Sequence, residues 1–148
     1  MKHKFTPLDA SEVARLEHAW EVLSDLTDMA SQRVWWIISP YLAATAFCVY
    51  RALKTLPRET EGDGGPTDEE LAELCIAALE SCRWFVRSIP PEVFEAARYV
   101  LESNAVSTEA KRETLRLVHE VANKHRDLTE SARAELERIL SITDSDLE

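Results

Sequence analysis

Three cysteines, four histidines and a close pair of aspartates are the side chains that could give this chain metal, redox or acid–base chemistry. Cys75 and Cys82 stand seven residues apart. On a helix they share a face but lie about 10 Å apart along the axis. One zinc ion holds its sulfurs about 2.3 Å away, so the pair cannot share it without unwinding the helix. Cys48 is remote from both, and all three sit within apolar helical pattern. An odd, unclustered set reads as buried thiols in a reducing compartment, not as a disulfide framework. His119 and His125 are six residues apart and so on different faces, and Leu117-Val-His-Glu-Val121 lacks the second histidine of a metalloprotease helix. His18 falls beside an apolar stripe and His3 in the polar start.

Asp25 and Asp28 occupy neighbouring positions on a helix, a spacing that can hold magnesium for pyrophosphate chemistry. That chemistry also needs a second acidic cluster on a facing helix and a basic phosphate pocket. The sequence offers neither, so the pair reads as a solvated helix end. There is no Gly-x-Ser-x-Gly, phosphate loop or dinucleotide fingerprint. The expectation is a non-enzymatic protein with no catalytic residue, no metal site and no cofactor.

Aromatic residues hold more promise. Trp20, Trp35, Trp36, Trp84, Phe47, Phe85, Phe94, Tyr41 and Tyr50 mostly fall on inward stripes, where such rings fill a core. Rings of this bulk around a helix can also leave an apolar pocket. Trp20, Tyr41, Phe47, Tyr50, Trp84 and Phe85 are the candidate lining. Val34, Trp35 and Trp36 are a candidate interface, because three large side chains in a row before Ser39-Pro40 cannot all face inward. Tryptophan is favoured at such anchors.

The elements that must position these residues read as helices throughout. Val34 to Tyr50 is a run of seventeen uncharged residues between Arg33 and Arg51. Ser39-Pro40 divides it, with Ser as cap and Pro at the first helical position. From Pro40 to the first charge the helix is about 16 Å long, too short for about 30 Å of hydrocarbon. Apolar on every side, 40–56 reads as a buried central helix, with Leu42, Phe47 and Val49 in the core. Asp9 to Glu12, Thr67 to Glu70 and Asp127 to Glu130 fit capping boxes. They open helices whose inward stripes run Val13-Leu16-Trp20-Leu23, Leu71-Cys75-Cys82-Phe85-Ile89 and Ala132-Leu136-Ile139. Pro90-Pro91 starts a helix ending near Asn104 as cap, and Ser107 or Thr108 starts another. No alternating β-branched run appears, so no strand is expected. The fold class is all-α, a single bundle of five to six helices over 9–141. Around it lie a disordered start (1–8), a mobile acidic loop (58–66) and a frayed acidic tail (142–148).

Charge is unevenly placed within a net −10: residues 59–82 hold eight acids and no base. The block reads as a solvated loop and helix start. An acidic surface without a basic stripe argues against direct nucleic acid binding, and membrane contact is not expected. The start carries no apolar stretch of signal-peptide type, which points to an intracellular protein, cytoplasmic or nuclear.

Three features in order resemble part of the regulatory middle region of fungal zinc-cluster transcription factors. An aromatic and Ser39-Pro40 open an aliphatic helix running to Leu56. An acidic glycine loop follows, then Glu70-Leu-Ala-Glu-Leu-Cys-Ile-Ala-Ala-Leu-Glu80 ahead of Trp84. The likeness covers about residues 12–102 and rests on pattern. That family's DNA-binding cysteine cluster has no counterpart here, and its region is far longer. The resemblance implies an all-helical regulatory piece that responds to partners or small molecules, and it carries over no binding residue. The reading is a non-enzymatic regulatory or protein-interaction domain, with self-association or a protein partner. The alternative is a binder of a small apolar ligand in the aromatic core.

Overall fold

A computed structural model describes residues 6–32, 38–59, 65–82, 89–125 and 128–147, apart from the side chain of Ser31. Its elements are helical, as expected: α1 (Ala10–Gln32), α2 (Ser39–Thr55), α3 (Asp68–Ser81), α4 (Pro91–Glu102), α5 (Thr108–Lys124), α6 (Glu130–Leu140) and a 3-10 turn over Asp144–Leu147. Among the described residues there is no strand, and one isolated bridge joins Leu8 to Arg58. The bridge is made by Leu8 N–H to the Pro57 carbonyl (2.8 Å) and Glu59 N–H to the Leu8 carbonyl (3.0 Å). No described helix is long and apolar enough to cross a membrane.

Hydrophobic burial assembles the bundle. The buried side chains form one cluster from Trp20 through Phe47, Leu79, Phe94 and Val118 to Leu147. α1 packs on α2 and α3, while α3 also meets α4 and α5, and α4 carries α6. Alanines at the seams (Ala30, Ala43, Ala46, Ala72, Ala78, Ala97) are almost wholly buried and let helix axes approach closely.

Local chemistry departs from the sequence expectation at several helix ends. Ser39 does not cap α2. The helix enters through Ile38, which makes no side-chain cap bond. Ser39 is buried and its hydroxyl donates to the Thr27 carbonyl of α1 at 3.3 Å, fastening the two helices where they meet. The cap of α6 is Thr129, which accepts Ala132 N–H at 3.2 Å, two residues later than the Asp127 box; Asp127 lies outside the described residues. α4 closes at Ser103 in place of Asn104, because the Ser103 oxygen accepts Ala105 N–H and turns the chain there. α3 ends at Ser81 with Cys82 as its C-cap, and Ile89 of the expected stripe is buried beyond the helix, while Phe85 lies outside the described residues.

α2 is also less enclosed than an all-round apolar pattern implies. Phe47, Tyr50 and Leu53 are buried, but Leu42 and Val49 are half-buried, and Tyr41, Thr45 and Cys48 face solvent. α1, α3 and α4 cover the other sides of this helix. Cys48 is therefore not the buried thiol expected, whereas Cys75 and Cys82 are. The tail does not simply fray. Leu147 is buried, and Asp146 accepts the Thr143 N–H at 2.8 Å, closing the 3-10 turn against α5.

Candidate functional site

The first turn of α3 carries three consecutive acids, Asp68, Glu69 and Glu70, behind the Thr67 cap, which accepts Glu70 N–H at 3.2 Å. Negative charge is favoured there by the helix dipole. In the fold each carboxylate does more than face water. Asp68 accepts hydrogen bonds from the hydroxyls of Tyr50 on α2, Ser103 at the end of α4, and Tyr99 on α4 (3.4 Å for the last). Glu69 accepts the backbone N–H of Ser107, the cap of α5. Glu70 accepts the Trp20 indole N–H of α1 at 3.4 Å. One helical turn thus binds all four neighbouring helices, which corrects the reading of this stretch as merely solvated.

An aromatic cluster surrounds the carboxylate. Trp20 and Tyr50 lie 5.3 Å apart between ring centroids, Tyr50 and Tyr99 5.8 Å, and Phe47 and Tyr99 6.5 Å. Lys54 Nζ sits 5.4 Å over the Tyr50 ring and the Arg51 guanidinium 5.1 Å over Phe47, both within cation–π range. Burial pushes the Tyr50 phenol well above its ordinary value, and the hydrogen bond to Asp68 and its charge push the same way. For Asp68, burial works upward, but the Ser103 and Tyr50 hydroxyls, the Lys54 charge and Tyr99 outweigh it. Its carboxyl stays below the ordinary carboxylate range. A protonated phenol held to an ionised carboxylate is a structural pair: the acid has no proton to give and the phenol does not ionise.

The thiols tell the same story. Burial pushes Cys75 up, and pushes Cys82 to about 12 despite an opposing bond from Ser81. Neither is a thiolate at neutral pH, and the thiolate is the reactive form. His125 Nε2–H donates to the Cys82 carbonyl, satisfying an acceptor at the open end of α3. Asp25 is exposed and Asp28 accepts from Gln32 at 3.1 Å. No cluster among the described residues could hold a metal ion.

Of the candidate pocket residues, Trp20, Phe47 and Tyr50 come together in the core, while Tyr41 is exposed. Trp84 and Phe85, and the interface candidates Val34, Trp35 and Trp36, lie outside the described residues. An apolar groove of about 380 Å³ opens along the exposed side of α2, between Tyr41, Thr45 and Cys48 and the Ile89-Pro90-Pro91 entry to α4. A second depression, of about 560 Å³ and more polar, lies under the 3-10 turn; Lys111, Glu102 and Asp146 are all in its lining. Two carboxylates to one amine give it no net attraction for an anion.

Sequence reasoning missed two sets of residues. Asp68, Tyr99 and Ser103 carried no local signal, since their partners come from 18, 31 and 35 residues away. Val22, Leu26 and Met29 did carry one: they recur at four and three residues on α1, on a face beside its core stripe, and stand exposed at 42%, 40% and 44%. No protein-family model, curated protein or solved structure matches the chain.

Proposed function

We propose that the chain is a non-enzymatic helical regulatory or protein-interaction domain. The observation that carries this reading is the distribution of exposed large apolar side chains. Five of the seven among the described residues, Val22, Leu26, Met29, Ile38 and Tyr41, fall on the α1–α2 hairpin. Single exposed apolar residues need no explanation, but concentration on one element marks an interaction surface. The paired Asp68 and Tyr50 and the protonated Cys75 and Cys82 support a non-catalytic role. The resemblance to a transcription-factor regulatory region implies the same class.

Panning a random peptide library against the folded chain tests the reading, with a Leu26→Glu/Tyr41→Ser double variant as counter-target. Peptides that need the parental hairpin support it; absence of any such peptide overturns it. A second reading, a binder of a small apolar ligand, is favoured by the groove beside Tyr41. On that reading an apolar ligand at a hundred times its dissociation constant adds about 2.7 kcal/mol to stability, and Thr45→Trp, which fills the groove, removes the gain.

A further inference from the structure

We infer that the outer face of α1 is the docking site for a basic amphipathic helix of a partner protein, with Val22, Leu26 and Met29 as the apolar seat. The inference deepens the interaction reading and rests on it. Helical geometry places residues three and four apart side by side, so the three form one continuous strip. Asp25 lies against it, three residues after Val22 and four before Met29, with Glu21 and Asp28 along the same edge. All three acids are exposed. The helix faces α2 and α3 with Trp20, Thr27 and Ala30 buried, and among the described residues this second stripe is not part of the core cluster.

Charge decides among the occupants. α1 holds five acids, Glu12, Glu17, Glu21, Asp25 and Asp28, against Arg15 as its one arginine or lysine. A second copy of the chain would bring like acids together across the seam, on top of a net charge of −10 on each molecule. A helix that lies on a lipid surface carries lysine and arginine on its polar face, and α1 has the opposite balance. A partner helix with an apolar stripe edged by Lys or Arg satisfies both features, since it buries the strip and pairs its rim.

The test pans a display library of amphipathic helices, each with a leucine stripe and flanks free to take either charge, against the folded chain. The inference expects Lys- or Arg-flanked helices to emerge. Leu26→Glu should weaken them at least ~10-fold without changing the melting curve, as the side chain is exposed. Rising salt should weaken them too. Glu21→Lys with Asp25→Lys should abolish them and select acidic-flanked helices instead. Binders that ignore Leu26→Glu but fail with Ile38→Asp or Tyr41→Asp overturn docking on α1 and leave the interaction reading standing. So do neutral or acidic binders to the parent, a dimer broken by Leu26→Glu, or Leu26-dependent flotation with phosphatidylcholine vesicles. If no peptide of either library needs the parental hairpin, both readings fall.

Discussion

Removing the Asp68 carboxylate should destabilise the fold far more than an exposed helix-cap acid would. Asp68→Ala deletes the charge in the first turn of α3, worth about 0.3–1 kcal/mol against the dipole. It also leaves the Tyr50 hydroxyl without its acceptor, and Tyr50 is 1% exposed. An orphaned buried donor costs about 1–3 kcal/mol. Ser103 and Tyr99 are nearer water and can rehydrate. Together the loss is about 1–4 kcal/mol, a sizeable share of an ordinary domain's stability. Tyr50→Phe removes one bond to a charged acceptor while Asp68 keeps Ser103 and Tyr99, so it should cost about 1.5 kcal/mol. The double variant has no orphan, and the two losses should therefore fall short of additivity by about 1–2 kcal/mol. Urea denaturation followed by far-UV circular dichroism measures all four chains. Additivity within about 0.5 kcal/mol would refute the pairing.

The same pair predicts opposite pH arms. Asp68 is depressed below 3.8 in the fold, so its contribution is complete above about pH 4, where the unfolded carboxyl ionises. It is lost as pH falls through the lower folded value, because the unfolded chain takes up the proton first. Tyr50 is raised above 10.0; its contribution is complete below pH 10 and declines above it, where only the unfolded phenol ionises. Asp68→Asn should therefore flatten the acid arm of the stability–pH curve and Tyr50→Phe the alkaline arm. Identical acid arms in parent and Asp68→Asn would show that Asp68 is unpaired.

Three further outcomes follow from burial. Phe47, 4% exposed, should cost about 3–5 kcal/mol when replaced by alanine, and a parental melting curve would show it lies outside the core. A maleimide should label Cys48 in the native chain but reach Cys75 and Cys82 only after unfolding, which mass spectrometry of the labelled peptides reads directly. Leu147→Ala should cost about 1.5–3 kcal/mol in urea titration, the value of a buried leucine; a neutral result would mean that the tail does not pack.

The helices were legible because their signals are local. Asp9, Thr67 and Ser107 each precede an apolar stripe of helical period, and each accepts the backbone N–H expected of a cap. The errors came where a local signal had a distant competitor. Ser39 next to Pro40 looks like a cap, yet the Thr27 carbonyl twelve residues away claims its hydroxyl. Asp68-Glu-Glu70 is what any helix start prefers, so nothing in the stretch itself distinguishes acids facing water from acids bonded to Tyr50, Ser107 and Trp20. Cys48 shows the limit of composition. A residue within an apolar run belongs to the core only if neighbouring helices cover that side, and cover is a property of the whole bundle. The α1 stripe failed for the opposite reason. Val22, Leu26 and Met29 were readable at four-and-three spacing, but a helix with one good core stripe already accounts for itself. Its second apolar face asks for a partner only once the fold has left that face outside.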